Sequence, residues 1–164
     1  MQFSPPQRSM VIAAMGEAEE RTTGYYCIPP FRWQQYPYDL LTRADNEWQP
    51  LPESVLASVQ CLQRIVRGYS LDFYRIQLND QSILTAAQRE KLIDLYPFLV
   101  YILTHEMVHV VRLTNILDDS VPAAADASEE NRVQLISRRI LAGSPRYQPV
   151  LDRFCTSKFA GLKE

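Results

Sequence analysis

The sequence has few cysteines and no excess of basic residues, and each shortage excludes a class of protein. Its three cysteines, Cys27, Cys61 and Cys155, are far apart and form no CxxC pair. A disulfide framework or a cysteine zinc site is therefore not expected, and the cysteines are predicted to be reduced packing residues. The formal net charge is −2 and no basic tract occurs. Charge therefore gives no reason to expect nucleic acid or an anionic membrane as a partner.

Long hydrophobic runs are also missing. Near the N-terminus a short apolar run, residues 10–14, is soon followed by acidic residues, and this is too little for a secretory signal. The longest apolar stretch near residue 100 is interrupted by the polar residues 104–106, which predicts that it does not span a membrane. A cytoplasmic protein is expected. The length of 164 residues suits one domain, 1–164, with a sizeable core.

Residues 1–53 form an N-terminal part that is rich in proline and aromatic residues. Residues 1–24 carry mixed signals, and five prolines between positions 29 and 52 exclude a long helix there. We expect extended segments and turns, with a short edge strand within 25–36 as one possibility. The aromatic side chains of 25–53 either pack on a helical core or form the wall of a cleft.

Residues 54–117 are predicted to be mainly helical. Apolar residues in 55–66 recur at spacings of three and four, which predicts a helix that ends at Gly68. The next segment, 71–80, is ambiguous. Its side chains alternate as in a strand that ends in a turn at Asn79-Asp80, and a continued helix is the alternative.

Three more helices are predicted, and the overall expectation is a predominantly helical α+β domain with a small sheet or an extended N-terminal segment. One helix runs from a cap at Thr85 to Tyr96, and the next, 97–116, has Pro97 in its first turn. A loop follows at 118–127. The last predicted helix covers 128–142, with Ser128 as its cap.

Both histidines of the chain lie four residues apart in the segment LTHEMVHVVRL, residues 103–113. On a helix this spacing puts two side chains about 5–6 Å apart at Cβ, so both imidazoles can bind one tetrahedral zinc ion. Glu106 is rotated by about 100° from His105, beside the ligands, where it can act as a general base. Apolar neighbours predict that this helix is buried.

The alternative is that His105 and His109 are ordinary hydrogen-bonded histidines on an apolar helix, with Glu106 in solvent. The helix is otherwise almost entirely apolar, and burying these groups without partners would cost several kcal/mol. A metal ion would satisfy both histidines together. The pattern therefore favours a metal site.

The segment HEMVHVV resembles the HExxH signature of the zincin metallopeptidases. Metzincins continue the motif with a glycine and a third histidine, but Arg112 and Asn115 stand at those positions. The segment is more similar to the gluzincins, whose third zinc ligand is a glutamate on a following helix, some twenty residues after the second histidine. Glu129 and Glu130 lie at that distance from His109.

The choice between the two glutamates depends on the face of the helix. Val133, Ile136 and Ile140 define its buried face, with Glu129 close to the centre and Glu130 nearer the edge. Glu129 is therefore the preferred third ligand and Glu130 the alternative. Both acids also fit the dipole at a helix N-terminus, an interaction worth about 0.3–1 kcal/mol each that requires no metal.

The resemblance implies a zinc-dependent hydrolase, and specifically a metallopeptidase that acts on a peptide or protein substrate. His105, His109 and one of the two glutamates would bind zinc, and Glu106 would act as general base. The alternative is a non-catalytic zincin-like interaction domain that keeps a structural or vestigial metal site. Closed coordination by four protein ligands would be typical of that alternative.

Overall fold

The computed structural model describes residues 1–91, 93–114, 116 and 127–154. Within these residues the fold is α+β and predominantly helical, as predicted. One 3₁₀ turn, Pro145–Tyr147, precedes the last helix. The helices and strands, in chain order, are α1 (Pro5–Tyr25), α2 (Pro30–Trp33), β1 (Tyr38–Leu41), β2 (Ala57–Val66), β3 (Tyr69–Leu78), α3 (Asp80–Arg89), α4 (Leu95–Leu113), α5 (Ala127–Leu141) and α6 (Gln148–Phe154).

Helix α4 lies at the centre of the molecule. It packs against α1, α5, α6 and strand β2, and every residue from 97 to 108 is buried. The sheet has the strand order β1-β3-β2, in which β3 pairs in parallel with β1 and antiparallel with β2. In the described part of the chain, no helix has both the length and the apolarity needed to cross a lipid bilayer.

Helix α1 falls in the region where the sequence carries only mixed signals. Ser4 caps it, because its hydroxyl accepts a hydrogen bond from the Gln7 amide while the Gln7 side chain accepts one from the Ser4 amide. Two prolines follow in the first turn, where no amide hydrogen is needed. Its buried face includes Ala14 and Ala18, and such small side chains allow α1 to lie close to α4.

The predicted helix in 55–66 is wrong. These residues mostly form β2, which continues into β3 through a two-residue turn at Arg67 and Gly68. Both turn residues have positive φ, 52° and 81°, as a type I′ hairpin turn requires. The strand alternative for 71–80 is confirmed as far as Leu78. Asn79 does not begin a turn, because its side chain caps α3.

The other helix predictions differ in accuracy. The one from Thr85 to Tyr96 is wrong in its bounds, since α3 starts at Asp80 and ends at Arg89. The helices at 97–116 and 128–142 are confirmed as α4 and α5, with ends shifted by one to three residues. Ala127 belongs to α5, and the rest of the predicted loop, 118–126, lies outside the described residues.

The aromatic segment 25–53 packs on the helical core in part, since Tyr25 and Phe31 are exposed. Trp33 is buried, and Tyr26, Tyr36 and Tyr38 lie against the core cluster. The strand of this region, β1, follows the predicted range instead of falling within it. Residues 30–33 form the short helix α2.

The prediction of packed cysteines is wrong for the two cysteines that the structure describes. Cys27 and Cys61 are both free thiols and both exposed. Cys27 follows the end of α1, and Cys61 lies on β2. Cys155 lies outside the described residues.

Candidate metal centre

Helix α4 places its two histidines on one face, within the protein interior. His105 is only 1% exposed, and the side chain of His109, one turn later, is 19% exposed. Their rings stand edge to face, with centroids 4.9 Å apart. Both residues belong to one regular helix, so the distance between their Cα atoms is fixed. Both imidazoles therefore face the same space beside α4.

The first turn of α5 brings Glu130 into that space. Its two carboxylate oxygens are divided between the histidines: Oε2 lies 3.2 Å from Nε2 of His105, and Oε1 lies 2.8 Å from Nε2 of His109. Ligand atoms of the three side chains all lie within 4.8 Å of one another. These three residues form a group that could hold a metal ion.

The donor set has the chemistry that zinc prefers, two imidazole nitrogens and a carboxylate. In a tetrahedral site with bonds of about 2.0–2.1 Å, neighbouring donor atoms stand about 3.3–3.4 Å apart. The nitrogen–oxygen distance to His105, 3.2 Å, is close to that spacing, and the distance to His109, 2.8 Å, is that of a direct hydrogen bond. Three such ligands would leave a fourth tetrahedral position for a water, a substrate or a further ligand.

The charge of Glu130 is also suited to binding a cation. Burial raises the pKa of this carboxyl, but hydrogen bonds and electrostatic attraction from His105 and His109 outweigh burial. Together they hold the pKa of Glu130 well below its usual range. The carboxylate is therefore anionic at neutral pH, the form that binds a metal, while metal binding also requires both imidazoles to be neutral.

Glu129, the glutamate preferred from the sequence, is not brought to the histidines. Its carboxylate is buried, as its position near the centre of the apolar face predicted, but it faces Arg112. The guanidinium donates from Nε to Oε1 and from Nη2 to Oε2, the latter at 3.0 Å. The position of Glu129 on the apolar face of its helix therefore predicted its burial correctly. It did not predict its partner, because that partner is a cation on another helix, α4.

Glu106, the residue predicted to act as general base, follows His105 on α4 and is buried, with 6% exposure. Glu130 completes the three-residue group without it. The structure thus places Glu130 beside both imidazole nitrogens and Glu106 on the buried helix that carries the two histidines.

Two further residues near the site were not singled out from the sequence. From the sequence, Arg112 is notable only because it stands where metzincins have a glycine. Tyr26, at the end of α1, lies near both Arg112 and Glu129: burial raises the pKa of its hydroxyl to about 12, Arg112 acts against this rise, and Glu129 adds to it. The spacing of three between His109 and Arg112 was the available signal, because it puts both on one helix face.

Comparisons with protein-family models, with curated proteins and with solved structures find no match. The functional argument therefore rests on the residues of this chain and on their arrangement.

Proposed function

We propose that this protein is a zinc-dependent hydrolase, most simply a metallopeptidase. The observation that carries the proposal is the meeting of His105, His109 and Glu130, which come from two helices and direct three donor atoms to one space. Buried polar groups are costly without partners. Glu130 partners both imidazoles directly, and a metal ion between the three groups would take over that role.

The residues divide the chemistry in a simple way. Zinc, when bound, supplies Lewis acidity, which acidifies water and polarises a carbonyl group. Glu106 accepts a proton from the attacking water and donates it to the leaving amine nitrogen as the carbon–nitrogen bond breaks. The overall reaction adds water across a peptide bond. Burial of the surrounding α4 limits access of other water to this space.

Metal content and a single substitution test this proposal. Elemental analysis of the purified, zinc-loaded protein should find about one zinc per chain. Glu106→Gln should retain that zinc and the fold, but slow peptide hydrolysis by about 10²–10⁴-fold, because an amide cannot accept the proton. Activity should be measured on a mixed peptide library, with products identified by mass spectrometry.

Three results would count against the proposal. A wild-type protein that stays free of metal after zinc loading would remove its basis. Loss of zinc in Glu106→Gln would show that Glu106 is a ligand and not the base. Closed coordination by four protein groups, measured by X-ray absorption, would favour a structural zinc in an interaction domain.

A further inference from the structure

Glu129 and Glu130 both connect α5 to α4, and the two contact different residues of α4. On α4, His109 and Arg112 are three residues apart and therefore neighbours on one face. On α5, the two glutamates are consecutive, with side chains rotated by about 100° from each other. Glu130 meets the histidines and Glu129 meets Arg112. Each acid has its own partner on α4.

This arrangement depends on the rotation of α5. A rotation of about one residue would bring Glu129 to the histidines in place of Glu130. The sequence offers two acids of equal chemistry for one position. The buried apolar face of α5, which includes Val133, opposes such a rotation. The bidentate contact between Arg112 and Glu129 adds a second restraint, because a guanidinium has a fixed planar geometry that fits a carboxylate in few orientations.

The contact is also protected from solvent. The side chain of Arg112 is 17% exposed and that of Glu129 is 7% exposed. Arg132, by contrast, reaches the same carboxylate at 3.7 Å from a side chain that is 55% exposed. Two arginines therefore act on one acid, one across the helix interface and one along α5 itself. Only the first can fix α5 relative to α4.

We propose that Arg112 is a positioning residue, which binds Glu129 and thereby holds α5 in the rotation that presents Glu130 to His105 and His109. Arg112 acts through Glu129 and through the backbone of the first turn of α5. The inference rests on the proposed function for its zinc measurement, while a second measurement on the metal-free protein is independent of it.

The metal-free measurement uses the fact that the chain has only two histidines. The imidazole region of ¹⁵N spectra at pH 8 then contains signals from His105 and His109 alone. Arg112→Gln and Glu129→Gln should both move these signals, because Glu130 is no longer held beside the rings. Arg132→Gln also removes a positive charge that lies near Glu129, and it should leave the histidine signals in place. In a Glu130→Gln background, Arg112→Gln should no longer move them.

The zinc measurement is an equilibrium titration against a chelator. Arg112→Gln and Glu129→Gln should each raise the zinc Kd by about 10- to 100-fold, the usual effect of removing a group that orients a ligand. The double variant should be no weaker than either single one, since both remove the same contact. Arg132→Gln should change the Kd by less than about fivefold, the most that an exposed ion pair contributes.

The outcomes separate this proposal from the proposed function. Spectra and Kd that Arg112→Gln leaves unchanged would overturn the positioning role, as would an equal loss of affinity in the Glu130→Gln background. If wild-type protein binds no zinc but its spectra respond as described, the hydrolase proposal fails and the positioning role remains. Should Arg112→Gln not fold, Arg112→Lys keeps the charge, loses the fork, and is expected to shift spectra and Kd in the same direction.

Discussion

Helix α4 and the β2–β3 hairpin depart from the usual distribution of side chains in opposite ways. At the centre of α4, His105 and Glu106 are polar residues at positions that are almost fully buried. Near the turn of the hairpin, Ile65 and Tyr69 are apolar residues that are 78% and 76% exposed. The apolar content of a segment therefore does not tell where the core lies. The neighbours of each segment decide it.

The physical cause of this difference is the position of each element in the fold. Helix α4 is covered by α1, α5 and β2, so its buried charged and imidazole side chains depend on partners from neighbouring elements, as His105 and Arg112 depend on α5. By the part of the chain that the structure describes, the hairpin is covered at one end: β3 is exposed at Tyr69 and buried at Leu78. Substitutions in α4 should thus have large effects on zinc affinity and on the free energy of unfolding, and substitutions near the hairpin turn should have small effects.

The largest difference is expected for metal binding. His105→Ala should weaken zinc binding by several kcal/mol, out of a total of roughly 10–16 kcal/mol for favourable zinc sites, because a first ligand is lost. Ile65→Ser in the hairpin is the control and should leave the zinc Kd unchanged. Competition with a chelator measures both. Equal affinities of His105→Ala and wild type would contradict the role of His105 as a ligand.

The next difference concerns the free energy of unfolding. Leu103→Ala removes a fully buried side chain from α4 and should destabilise the protein by about 2–5 kcal/mol, the usual cost of such a cavity. Leu71→Ala, at an exposed position of the hairpin, should change stability by no more than about 0.5 kcal/mol. Urea denaturation of the metal-free proteins compares them. Similar losses for both variants would show that a partner covers the hairpin in solution.

A smaller effect on the free energy of unfolding is expected at the hairpin turn. A Cβ atom added at Gly68 would meet no atom within 4 Å, so Gly68→Ala causes no clash. The positive φ of 81° still disfavours alanine, and we expect a loss of about 1–2 kcal/mol. Chemical denaturation measures this loss. An unchanged stability would mean that the hairpin does not need its type I′ turn for folding.

The two regions also differ in how well the sequence predicts them. Helix α4 is recognisable because its apolar run is long and its histidines are spaced by one turn, and both signals are local. The apolar residues of β2 happen to recur at helical spacings, while its exposed end lacks the alternation that marks a half-buried strand. The signal that identifies the hairpin is the turn at Gly68, which a helix end explains equally well.

The choice of the third ligand cannot be predicted from local sequence alone. Sequence spacing placed a glutamate near His109 and predicted correctly that Glu129 is buried. Which acid reaches the histidines depends on the rotation of α5 against α4, and that rotation involves Arg112, seventeen residues before Glu129 along the chain. Helix α1 was missed for a similar reason, since its buried face uses small residues such as Ala14 and Ala18 and carries little apolar signal.

The central claim is that His105, His109 and Glu130 bind one zinc ion and leave one position open. Anomalous X-ray diffraction at the zinc edge, from crystals of the zinc-loaded protein, tests it most directly. We predict one strong peak at about 2.0–2.2 Å from Nε2 of both histidines and from the Glu130 carboxylate, with no fourth protein ligand. A peak coordinated by Glu129 in place of Glu130, or no peak between these helices, would contradict the account.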